Sequence, residues 1–62
     1  MTKAEAKQAM REGHKVTHTY FSNEEYAHLV NGVETFEDGV KIPYDWWNKD
    51  WLAEGWSIKT FS

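Results

Sequence analysis

The chain has 62 residues, a formal net charge of −3 and no cysteine. Disulfides and thiolate metal sites are therefore excluded, and the mild acidity argues against a protein that grips the phosphates of nucleic acid. No apolar run approaches the ~18–20 residues of a membrane helix.

A chain of this size forms one domain, residues 1–62, and buries only roughly 60% of its unfolded surface. Stability must come from large side chains or from a second copy of the chain. The sequence supplies the first, with four Trp, three Tyr and three Phe, each able to bury about 150–250 Å².

The N-terminal stretch reads as a short helix. Thr2 and Glu5 have the spacing of a capping box, Ala6, Ala9 and Met10 share one face, and Gly13 has the place of a left-handed stop. Its apolar face is small enough to lie close against a sheet. "MTKAEAKQAMREG" has no apolar signal-peptide core, so a location in the cytoplasm where the chain is made is expected.

"KVTHTYF" alternates Val16, His18 and Tyr20 with Lys15, Thr17 and Thr19, the pattern of a strand. Ser22 with Glu25 suits the cap of a second helix. Against it stands Asn31-Gly32 between apolar flanks, a hairpin signal that pairs Tyr26–Val30 with Val33–Phe36. Residues 22–29 thus have both readings, helix and strand. Asp38-Gly39 suits a second tight turn, and "VKI" a short edge strand before Pro43.

Asp45 is placed to cap a short Trp-rich helix, "WWNKDWLAE", stopped by Gly55. On a helix, Trp47 and Trp51 share a side. "WSIKTF" reads as a closing strand with Trp56, Ile58 and Thr60 on one face and Ser57, Lys59 and Phe61 on the other. The expected fold is a small α+β domain. A short N-terminal helix packs on an antiparallel sheet, and a short Trp-rich helix precedes the last strand.

Catalytic signals are sparse. Ser22, Ser57 and Ser62 lie in no nucleophile motif, and the carboxylate pairs Glu24/Glu25 and Glu37/Asp38 fall in turns. His14, His18 and His28 lack metal-ligand spacing, so exposed or cross-strand histidines are expected and no metal or cofactor. A non-enzyme is expected. The informative feature is "DWWNKDWLAEGW", which holds all four Trp. Trp56 fits a core. Trp46, Trp47 and Trp51 on one short segment fit better with an interface or a stacking surface, where Trp is enriched.

"EAKQAMREGHKVTHTYF" (5–21) resembles the opening of the small phage proteins of the Thoeris anti-defence family. "WLAEGWSIKTF" (51–61) resembles their close, where a Leu-Ala-Glu run precedes a Trp and a final strand. The family has Arg-x-Gly-Trp-Asn after the first strand, where this chain has His18 to Ser22. It has Asp before the closing Trp, where this chain has Gly55, and its middle is longer.

The resemblance implies a phage counter-defence protein acting in the host bacterial cytoplasm. It would be a homo-oligomeric sponge that sequesters a cyclic nucleotide immune signal without cleaving it. By position it implicates Tyr20, Phe21, Trp51 and Glu54 in ligand contact; Trp47 joins them from the tryptophan cluster, and His18 as a ligand-binding group. Lys15, His18 and Lys49 are expected to offset phosphate charge. A family member that inhibits a CRISPR nuclease implies a second reading, a protein–protein inhibitor. In it the same aromatics form the hot spot and Glu24, Glu25, Glu37 and Asp38 an acidic rim. A third reading is a structural accessory domain with all four Trp in core and dimer interface.

Overall fold

A computed structural model describes residues 1–60; Phe61 and Ser62, including the expected facing of Phe61, lie outside the described residues. Helix α1 (Lys3–Arg11) precedes strands β1 (Lys15–His18), β2 (Ala27–Val30) and β3 (Val33–Phe36), two short 3-10 helices (Tyr44–Asn48 and Asp50–Leu52), and β4 (Trp56–Lys59). The strands form one antiparallel sheet in the order β3-β2-β1-β4. The small α+β fold read from the sequence is the fold observed.

α1 starts where local chemistry dictates. The Glu5 N–H donates to Thr2 Oγ1 (3.2 Å) and the Thr2 N–H to Glu5 Oε1 (2.8 Å), closing the capping box. The helix crosses β1, β2 and β4, burying Ala6, Ala9 and Met10. Small alanines let it sit close to the sheet. Directly paired residues share a sheet face, and alternate residues change face. The pairs Val16–Ala27, Val16–Ile58 and His18–Trp56 therefore place Val16, His18, Ala27 and Trp56 under the helix. Together with Ile42, Trp47 and Leu52 the apolar members form the core.

The β2–β3 hairpin turns on Asn31 (φ 52°) and Gly32 (φ 80°), the two positive φ values of a type I′ turn. The strand reading of 26–30 therefore holds, with β2 starting at Ala27. Residues 22–25 form no helix. The Ser22 N–H donates to Glu25 Oε1 (2.9 Å), and Thr17 Oγ1 donates to the Glu25 carbonyl (3.0 Å), pinning a turn beside β1. "VKI" contributes a bridge between Thr35 and Lys41 rather than a full strand.

Two expectations are corrected. The first strand stops at His18, because the Phe21 N–H turns back to the His18 carbonyl (2.9 Å) and leaves Tyr20 in the turn. The Trp-rich segment is not one helix capped by Asp45. Pro43 occupies the cap position without a side-chain bond, and Lys49 adopts extended backbone (φ −72°, ψ 134°) that splits the segment in two. The α-helical spacing that put Trp47 and Trp51 on one side is lost at Lys49. Trp47 is buried and Trp51 is 42% exposed.

Two carboxylates, Glu5 in the capping box of α1 and Glu25 in the turn beside β1, carry a pH signature. Backbone and then side-chain hydrogen bonds from Thr2 hold the Glu5 carboxyl below its ordinary value, and those from Ser22 do the same for Glu25. A carboxyl depressed in the folded state stabilises it above the unfolded pKa, and that contribution disappears as pH falls through the folded pKa. The Tm of the wild type is expected to drop on acidification below about pH 4.3, the ordinary Glu value. The double variant Glu5→Gln/Glu25→Gln should show a shallower drop. Parallel Tm–pH curves for the two proteins would refute the assignment.

Candidate functional site

Of the site residues expected from the sequence, Tyr20, Phe21, Trp51 and Glu54 converge on His18, and Trp47 does not. Its ring is buried at the end of β1, with ring centroids of Trp56 at 5.0 Å, Trp51 at 5.2 Å, Tyr20 at 5.4 Å and Phe21 at 5.9 Å. The Tyr20 N–H can only donate, so Nδ1, 3.1 Å away, accepts. The Glu54 carbonyl can only accept, so Nε2 carries the proton and donates to it at 2.6 Å. These two bonds define the neutral tautomer protonated at Nε2. They also join the turn after β1 to the segment before β4. The Thr19 N–H to the Gly55 carbonyl (3.0 Å) is a second tie between them.

His18 is thus a structural hub and not an exposed histidine. Nor does it face His28. Val16 and Ala27 share a face, so His18 lies under the helix and His28 on the opposite face, where it meets Tyr26 edge-on at 5.1 Å. The sheet separates them. Among the described residues no group of three or more His, Cys, Asp or Glu is placed to hold a metal ion.

Above this hub, Tyr20 and Trp51 project into solvent, 76% and 42% exposed. Their centroids are 5.8 Å apart and their planes 81° apart, so the rings form two walls of an open notch. Tyr20 lies over the imidazole with an interplanar angle of 27°, which fixes one of its faces and leaves the other outward. Glu54 is exposed beside Gly55, with its carbonyl engaged by His18. Phe21 is half-buried against Trp46 (6.3 Å) and Trp56 (5.6 Å), so it supports the notch from behind.

Trp47 does not join this notch. It is buried in the core, its indole N–H donating to Glu34 Oε1 (2.8 Å) and Lys7 Nζ lying 4.7 Å above its ring. The expected phosphate-neutralising trio is also dispersed. His18 is neutral by its bonding, and Lys15 sits on the opposite sheet face near the Tyr26 ring (5.5 Å). Lys49 is exposed at the break between the 3-10 helices, two residues from Trp51.

Sequence reasoning missed the Lys7–Trp47–Glu34 assembly and Tyr44, a residue 95% exposed. The i, i+3 spacing of Tyr44 and Trp47 in a 3-10 helix was the one available signal.

A scan against protein-family models matches none of them, and searches of curated proteins and of solved structures also find no match. No helix among the described residues is long and apolar enough to cross a membrane.

Proposed function

We propose that the chain is a phage-type counter-defence protein that binds a cyclic nucleotide signal and sequesters it intact. The observation that carries this reading is the Tyr20–Trp51 notch, two large rings held in solvent on a rigid buried support. A flat base stacks on one wall and meets the edge of the other. Such a site gains affinity from pre-organisation, because His18 packs against both rings and its hydrogen bonds hold the backbone at Tyr20 and Glu54. Sequestration needs stacking planes and no catalytic group. In this reading the notch lies at a homo-oligomer interface, and Lys49, two residues from Trp51, supplies a cation for ligand phosphate.

The second reading is a protein–protein inhibitor of a bacterial defence enzyme such as a CRISPR nuclease. It is favoured by the exposed turn carrying Glu24 and Glu25, which follows Tyr20 and Phe21 directly and gives the aromatic pair an acidic rim.

Native mass spectrometry against cyclic dinucleotides and cyclic ADP-ribose isomers tests the first reading. An oligomer that retains an intact cyclic nucleotide, recoverable on denaturation, is the expected result. Tyr20→Ala or Trp51→Ala should each raise Kd about fivefold or more, as loss of one stacking contact worth about 1–3 kcal/mol requires. Retention of no nucleotide, with salt-sensitive binding to a defence enzyme, would replace this reading by the second.

A further inference from the structure

A groove of about 430 Å³ runs between α1 and the β2–β3 hairpin, away from the Tyr20–Trp51 notch. Lys7 and Arg11 line one side, Leu29 and Ile42 the apolar floor, and Glu34 and Tyr44 the other side. We propose that this groove binds a small aromatic phosphate ester of mononucleotide size, with its ring against Tyr44 and its phosphate on Lys7 and Arg11.

The argument begins with charge. Lys7 and Arg11 are four residues apart, so they project from one face of α1. Against these two cations the groove holds one carboxylate, Glu34. One of its oxygens is occupied by the Trp47 indole N–H (2.8 Å). The groove therefore carries net positive charge in a chain whose total is −3. That contrast selects an anion.

Both cations are held in place. Lys7 Nζ lies over the Trp47 ring at 4.7 Å. The Arg11 guanidinium donates from Nε (3.2 Å) and Nη2 (3.0 Å) to Gln8 Oε1. Gln8 thus engages two of the roughly five N–H donors of an arginine fork and leaves others for an anion. Holding side chains in advance reduces the ordering cost of binding.

The rest of the lining selects an aromatic body over a bare anion. Tyr44 opens the first 3-10 helix directly after Pro43 (φ −61°), so its backbone starts from a restrained position. Residues three apart in a 3-10 helix lie on one side. Tyr44 therefore stands at the rim on the side of Trp47, the ring under Lys7. Its exposed face and the floor of Leu29 and Ile42 offer apolar contact that free phosphate cannot use. The volume falls within the range of about 300–1,000 Å³ typical of small-molecule sites.

The test is a ¹H–¹⁵N NMR titration of the full chain with adenosine monophosphate, adenosine and inorganic phosphate as probes. Adenosine monophosphate should produce saturable shifts at Leu29, Gly32, Ile42 and Tyr44. Adenosine and phosphate should each bind about tenfold more weakly or worse, since each lacks one of the two contacts. Tyr44→Ala and Arg11→Gln should each weaken binding about fivefold or more at constant Tm, because both side chains are exposed. Trp51→Ala should leave these shifts in place, which separates this groove from the notch. The proposal is overturned by the absence of saturable shifts, by shifts that map to Tyr20 and Trp51 instead, or by phosphate binding as tightly as the nucleotide.

Discussion

Trp56→Ala is expected to leave the chain largely unfolded at 37 °C. Trp56 is buried at the junction of helix, sheet and Trp-rich segment, with its indole N–H donating to the Leu52 carbonyl at 2.7 Å. His18, Phe21, Trp46 and Trp47 all meet its ring. Truncating a buried Trp to Ala costs about 3–5 kcal/mol. A 62-residue domain has roughly 3–9 kcal/mol in total at 0.05–0.15 kcal/mol per residue. The loss is thus comparable with the whole stability. Trp56→Phe keeps most ring contacts but strands the Leu52 carbonyl, at a cost of about 1–3 kcal/mol. Urea denaturation followed by far-UV circular dichroism measures both. A loss below about 1 kcal/mol for the Ala variant would mean that Trp56 is not the centre of the core.

Gly55→Ala carries the second large effect, and it acts on the notch as well as on stability. Gly55 has φ +96°, a conformation in which an added side chain is strained. A Cβ there would also lie 2.9 Å from His18 Nε2, 2.9 Å from Thr19 Oγ1 and 3.1 Å from His18 Cε1. The imidazole cannot retreat without breaking its bonds to Glu54 and Tyr20. We expect a loss of about 3 kcal/mol, in which backbone strain of about 1–2 kcal/mol is joined by displacement of His18. At about 4–8 °C per kcal/mol for a domain of this size, Tm should fall by roughly 12–24 °C.

Gly32→Ala is the control. Gly32 has a similar φ of +80°, but nothing lies within 4 Å of the added Cβ, so only the backbone cost applies. Its Tm should fall by roughly 4–16 °C. Equal Tm losses in the two variants would show that His18 yields freely and is not the rigid support of Tyr20. A clear excess for Gly55→Ala, with disturbed Tyr20 and Trp51 resonances, is the expected outcome.

Much of the fold was legible because its signals are local. The Thr2/Glu5 capping box, the Gly13 stop and the Asn31-Gly32 turn each depend on residues within a few positions of one another. The caps and positive-φ turns they form are strongly favoured by those residue types. The alternation around Val16 and the assignment of Trp56 to the core follow from the period of two in a strand. At the candidate site, five of the six residues named from the sequence lie together and Trp47 does not. His18, Tyr20, Phe21, Trp51 and Glu54 do meet, though they come from segments at least thirty residues apart.

The tertiary structure decided what periodicity cannot. Local spacing treated "WWNKDWLAE" as one helix and put Trp47 beside Trp51. Burying one indole against Trp56 while Leu52 fills the core instead requires the break at Lys49, which turns Trp47 in and Trp51 out. The strand pattern ran through Tyr20, but the turn closed by the Phe21 N–H on the His18 carbonyl ends β1 two residues earlier, and the His18 ring bonds to Tyr20 and Glu54 hold that turn. His18 and His28 looked like neighbours because β1 and β2 pair, yet the pairing of Val16 with Ala27 sends them to opposite faces. Gly55 read as a helix stop, whereas its surroundings make it the space into which His18 fits. The composition alone determined a small Cys-free domain built on aromatics, and local chemistry placed its turns and caps. Which aromatic is core and which is surface depended on register and on the partners each polar atom finds, and those are set by residues distant in the chain.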